Sequence, residues 1–78
     1  MSGYWQKGEM QTLATAAGIP LNNLSDILHR RRGVSWSRAL LLEQLTLDIF
    51  GHDYRVDCRD WAGNRTSRHP AFFGPPRA

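Results

Sequence analysis

One cysteine, Cys58, excludes a disulfide within the chain, and its isolation points to a reducing, cytosolic setting. Long apolar runs are missing too. The longest, Ala39 to Leu42, falls far short of the roughly 20 residues that cross a bilayer. Met1 to Lys7 holds no apolar stretch of the signal-peptide kind. A soluble, cytoplasmic protein that binds no membrane is therefore expected. No glycine-rich loop follows a strand, and no Cys-x-x-Cys pair offers metal-ligand spacing. His29, His52 and His69 are dispersed, and Cys58 has no base beside it in sequence. The expectation is a protein that is not an enzyme and uses no cofactor or metal. Internal repeats and low-complexity tracts are also absent.

What is present is small. A chain of 78 residues makes one domain, and folding hides only about 60–65% of the surface its unfolded form exposes. Such a core is marginal and commonly needs a staple or a second subunit. Charge is modest globally, at +3, but uneven locally. Arg30, Arg31 and Arg32 stand together against Asp26 alone, while residues 52–78 set five arginines against three aspartates. A basic cluster directly after a candidate helix is a stronger pointer to a polyanion than high pI alone.

The first eight residues, with Gly3 and Gly8 and no helical periodicity, read as an arm in which Lys7 can add a phosphate contact. Residues 9–17 place Met10, Leu13, Ala14 and Ala17 on one face of an amphipathic helix, which Gly18 ends. Pro20 suits the first turn of the next helix, expected over about 20–30. Leu24, Ile27 and Leu28 share one side of it, with Leu21 beside them. Asn22, Ser25, Asp26 and His29 share the other. Short hydrogen-bonding side chains of that kind reach base edges with little entropy loss, whereas a solvated face more often carries Glu, Lys and Arg.

Ser35 is a good N-cap for a third helix over 36–50. Trp36, Ala39, Leu40, Leu42, Leu45, Leu47, Ile49 and Phe50 cover most of its circumference, so it must be covered on more than one side. The C-terminal tail or a second copy of the chain is the expected cover. Beyond Gly51 the sequence changes character. Val56 to Trp61 reads as a helical turn with Trp61 folded back on the core, or as a short strand through residues 54–57. Gly74 to Ala78 reads as disordered.

The run Ala14-x-x-x-Gly18-Ile19, then Leu24-Ser25-x-Ile27-Leu28, the basic turn and Ser35 resembles the helix-turn-helix of the phage-repressor superfamily, the lambda repressor and Cro type. The resemblance covers about residues 10–50. It implies an all-α fold: a small lambda-repressor-like helix-turn-helix domain over residues 1–51 with a truncated first helix, followed by an irregular C-terminal extension over 52–78. By position, residues 10–17 become the supporting helix and 20–29 the recognition helix. Leu21, Asn22, Asn23 and Asp26 become base-contacting residues, with Ser25 and His29 on the same face, and Arg30, Arg31 and Arg32 lie along phosphates. Met10 stands where the family often has a bracing glutamine. The family has a glycine where Arg30 stands, whereas here the glycine is Gly33. Either the recognition helix runs on by a turn, or Arg30 takes the left-handed conformation at about 1–2 kcal/mol.

The function these features imply is sequence-specific binding of double-stranded DNA by a homodimeric, nucleoid-associated transcriptional repressor. The alternative is a helical protein-interaction module or antitoxin-type subunit of the same fold, with a protein partner engaged through the tail.

Overall fold

The computed structural model describes residues 4–74, apart from the side chain of Lys7, so a phosphate contact by Lys7 and the expected disorder of 75–78 fall outside it. Among the described residues, four α-helices make up the architecture: α1 (Lys7–Ala17), α2 (Leu21–Leu28), α3 (Trp36–Phe50) and α4 (Cys58–Ala62), with a 3₁₀ turn at His52–Tyr54. No strand occurs among the described residues. No helix among the described residues is long and apolar enough to cross a membrane.

α1 starts two residues earlier than its apolar spacing predicts. The Gln6 N–H donates to the Glu9 carboxylate at 3.0 Å, satisfying a donor at the helix entrance. Gly18, at φ +72°, turns the chain out of the helix. The Gly18 N–H donates to Thr15 O and the Ile19 N–H to Ala14 O, the paired bonds of a Schellman ending. A side chain at Gly18 would carry the left-handed penalty, which is why glycine stands there.

The expected N-terminal arm is not one. Trp5 is buried against Phe50 with ring centroids 5.1 Å apart, and Tyr4 packs edge-on against Tyr54 and His69. Aromatic area decides this: burying a ring of that size outweighs the cost of fixing two or three residues that lack helical periodicity.

α3 spans the stretch its apolar pattern marks out. Ser35 Oγ accepts from the Arg38 N–H at 3.3 Å and Gly51 closes the far end at φ +90°. Ala39, Leu42 and Thr46 face inward and are fully buried. α1 and α4 both pack on this helix, so the tail supplies one of the covers that its wide apolar arc requires. Trp36, Leu40 and Leu41 stay exposed, at 54%, 46% and 42%.

The segment after Gly51 packs in part into the core, as expected of Trp61. Asp57 caps α4 by accepting from the Arg59 N–H at 2.8 Å. Val56, Trp61, Ala71 and Phe72 are buried with Leu13, Leu24 and Leu28 in one cluster. Trp61 and Phe72 meet edge to face at 5.5 Å. Thr46 stitches tail to helix: its hydroxyl accepts the Val56 N–H at 3.1 Å and donates back into α3 at the Leu42 and Glu43 carbonyls. The alternative strand through 54–57 is not formed.

Candidate nucleic-acid interface

α2 starts one residue later than expected, with Pro20 as its N-cap, and ends two residues earlier, where Arg30 takes the left-handed conformation, φ +67°. For a residue with a Cβ this costs about 1–2 kcal/mol and persists only where the surroundings compensate. Here they do. The guanidinium is buried and donates to four carbonyls of the tail: Asn64 at 2.7 Å, Ser67 at 2.6 Å, Gly74 at 3.1 Å and Phe73 at 3.2 Å. It also lies 5.5 Å from the centroid of the Phe72 ring. Burial pulls the Arg30 pKa below its ordinary value, yet carbonyl dipoles on several sides hold the cation in place. Arg30 is therefore removed from the expected phosphate contacts. Four of its five N–H donors are spent inside the protein.

The same tail completes the last turn of α2. A helix leaves its final carbonyls without intrahelical partners. Ile27 O accepts from Asn64 Nδ2 at 2.8 Å, and Leu28 O from the Phe73 N–H at 2.8 Å. Ser25 O takes the His29 N–H, and Asp26 O takes those of Arg31 and Arg32. The end of the helix is fixed to within a hydrogen bond on every carbonyl.

The expected reading residues divide into two groups. Leu21 is half-buried and packs against the core, which leaves only part of it for the thymine-methyl contact expected of it. Ser25 and His29 engage each other. His29 Nδ1 lies 2.8 Å from the Ser25 carbonyl oxygen and 3.4 Å from its hydroxyl, and the imidazole packs on Phe73 at 4.6 Å. Asp26 accepts from Arg31, at 3.2 Å from both Nε and Nη2. The carboxylate is thereby neutralised across an exposed pair, the kind that exchanges readily with another partner.

The second group faces outward. Asn22 is exposed and makes no side-chain hydrogen bond among the described residues; Arg31 and Arg32 are exposed; Asn23 is half-buried beside a cavity of about 220 Å³. Arg32, Ser35 and Arg38 also line that cavity. Sequence reasoning left Arg38 out of the site. Its position in the first turn of α3, directly after a basic turn, was the available signal.

A separate cluster joins Glu43, Asp57 and Cys58, whose ligand atoms all lie within 4.8 Å of one another. Arg55 bridges the two carboxylates, 2.6 Å from Glu43 and 3.8 Å from Asp57. Burial, followed by these two acids, raises the Cys58 thiol above its ordinary pKa. The raised pKa lowers the share of thiolate at neutral pH, and Arg55 already occupies the two carboxylates.

What the surface offers chemically is a short helix with free amide side chains at its start and guanidinium groups beyond its end, all held rigidly from behind. Comparison with protein-family models, with curated proteins and with solved structures gives no match to this chain.

Proposed function

We propose that the protein binds double-stranded DNA as a sequence-specific transcriptional regulator, a repressor acting by occupying its operator. The observation that carries this reading is the outward placement of Asn22, Arg31 and Arg32 on and after a helix whose end is immobilised. An asparagine side chain matches adenine N6 and N7, and guanidinium groups beside it match phosphates. Two short helices joined through Gly18 to Pro20 support a helix-turn-helix reading of the lambda-repressor-like type, with α2 as the recognition helix. In a homodimer, two such helices would address half-sites about 34 Å apart.

A second reading has its own support. Trp36 and Leu40, one turn apart, form a short exposed apolar strip on α3, and tryptophan is enriched among residues that anchor protein interfaces. The strip serves either as the homodimer contact or as the face of an interaction module without DNA.

Selection from a random duplex library, followed by footprinting, separates the two. A regulator enriches a defined site with two-fold symmetry; recovery of random sequence overturns the DNA reading.

A further inference from the structure

The cavity between α2 and the start of α3 combines two chemistries. Ile19, Ile27 and Val34 supply apolar walls, while Arg32 and Arg38 are the two cationic residues among its lining. No carboxylate lines it, and neither arginine has an acidic partner within ion-pair distance among the described residues. Asp26, on the adjacent helix, is occupied by Arg31. Asn23 and Ser35 add neutral hydrogen-bonding groups. The cavity lies at the N-terminal end of α3, where the helix dipole adds to the positive field. Two unpaired guanidinium groups over an apolar floor are the complement of an anion with an apolar body.

We infer that this cavity binds a small organic anion: a carboxylate or phosphate monoester carried on a short aliphatic or aromatic group. An apolar cavity of about 150 Å³ accepts benzene, so about 220 Å³ suits a body of roughly six to ten non-hydrogen atoms. The anionic group pairs with Arg32 and Arg38, and the body lies on Ile19, Ile27 and Val34. Such a ligand takes Arg32 and Asn23 away from DNA, which makes it an effector. That last consequence rests on the proposed function; the binding itself does not.

Benzoate serves as the probe, titrated into the intact chain and followed by amide resonances, with benzamide and inorganic phosphate in parallel. Benzoate should shift Gly33, Val34 and Ser35 saturably. Benzamide, which keeps the ring and loses the charge, should bind about tenfold more weakly. Inorganic phosphate, which keeps charge and loses the body, should also be about tenfold weaker. Arg38→Gln and Arg32→Gln should each weaken benzoate by about fivefold or more while keeping a dispersed spectrum. Equal affinity for benzamide, equal affinity for phosphate, shifts confined to other segments, or indifference to both substitutions would each overturn the assignment. All of these readouts are made without DNA, so their failure is distinct from failure of the regulator reading.

Discussion

Asn64 and Arg30 hold the end of α2 from both directions: the Asn64 carbonyl accepts from the Arg30 guanidinium, and the Asn64 amide donates to the carbonyls of Ile27 and Arg32. Removing the amide takes a donor from the part-buried Arg32 carbonyl and from the buried Ile27 carbonyl, which keeps only the Arg30 N–H. Asn64→Ala should cost about 2–4 kcal/mol by denaturant titration. Arg30→Lys should also lower stability, because one ammonium cannot reproduce a planar fork aimed at four carbonyls. Its effect on the salt dependence of duplex binding should be nil. A change in that slope without a change in stability would put Arg30 back at the surface.

Asn22→Ala should weaken binding to the selected duplex by about 1–3 kcal/mol and relax preference at one base position. Equal loss on every duplex would reassign Asn22 to the sugar–phosphate backbone.

Arg32→Ala should weaken all duplexes alike and lower the salt slope by about one unit. An unaltered slope removes Arg32 from the phosphates.

His69 makes stability depend on pH. Its ring packs between Tyr4 and Phe72, and its Nδ1 accepts the Ala71 N–H at 3.0 Å. Burial lowers its pKa from the ordinary 6.5, partly opposed by Asp60. The unfolded chain therefore takes up the proton first as pH falls. The contribution of His69 is complete above about 6.5 and is lost on descending through the folded-state value. Melting temperature measured between pH 8 and 5 should fall on the acid side, and His69→Phe should flatten this part of the curve. An identical slope in the variant would assign the effect to another group.

Thr46→Val preserves shape and removes the only side-chain acceptor of the Val56 N–H, so it should cost about 1–3 kcal/mol. Thr46→Ser keeps the hydroxyl and should lose less. Equal losses would mean that the methyl group, not the hydrogen bond, carries the role.

Local chemistry was the legible part of the sequence. Gly18, the Ser35 cap and the 3.6-residue apolar spacing of Leu24, Ile27 and Leu28 each act within a few positions, and α1, α2 and α3 follow from them. Trp61 could be assigned inward because so large a ring needs cover. Trp5 could not, since its neighbours show no period and its contact, Phe50, lies far along the chain. The left-handed backbone of Arg30 was one of two alternatives open in the sequence, but the inward turn of its guanidinium was opaque for the same reason. Its acceptors stand 34 to 44 residues away, and three consecutive arginines look equivalent until one of them turns inward. The Ser25–His29 pairing was within reach of sequence reasoning, being one helical turn apart; the Phe73 ring that seats the imidazole was not.

The carbonyls that receive Arg30 include those of Phe73 and Gly74. A chain made from its N-terminus on the ribosome has α1, α2 and α3 available long before those acceptors emerge. Until then the left-handed turn is uncompensated and the helix end is open, so the outward-facing surface takes its shape only once residues 64–74 have folded back onto α2.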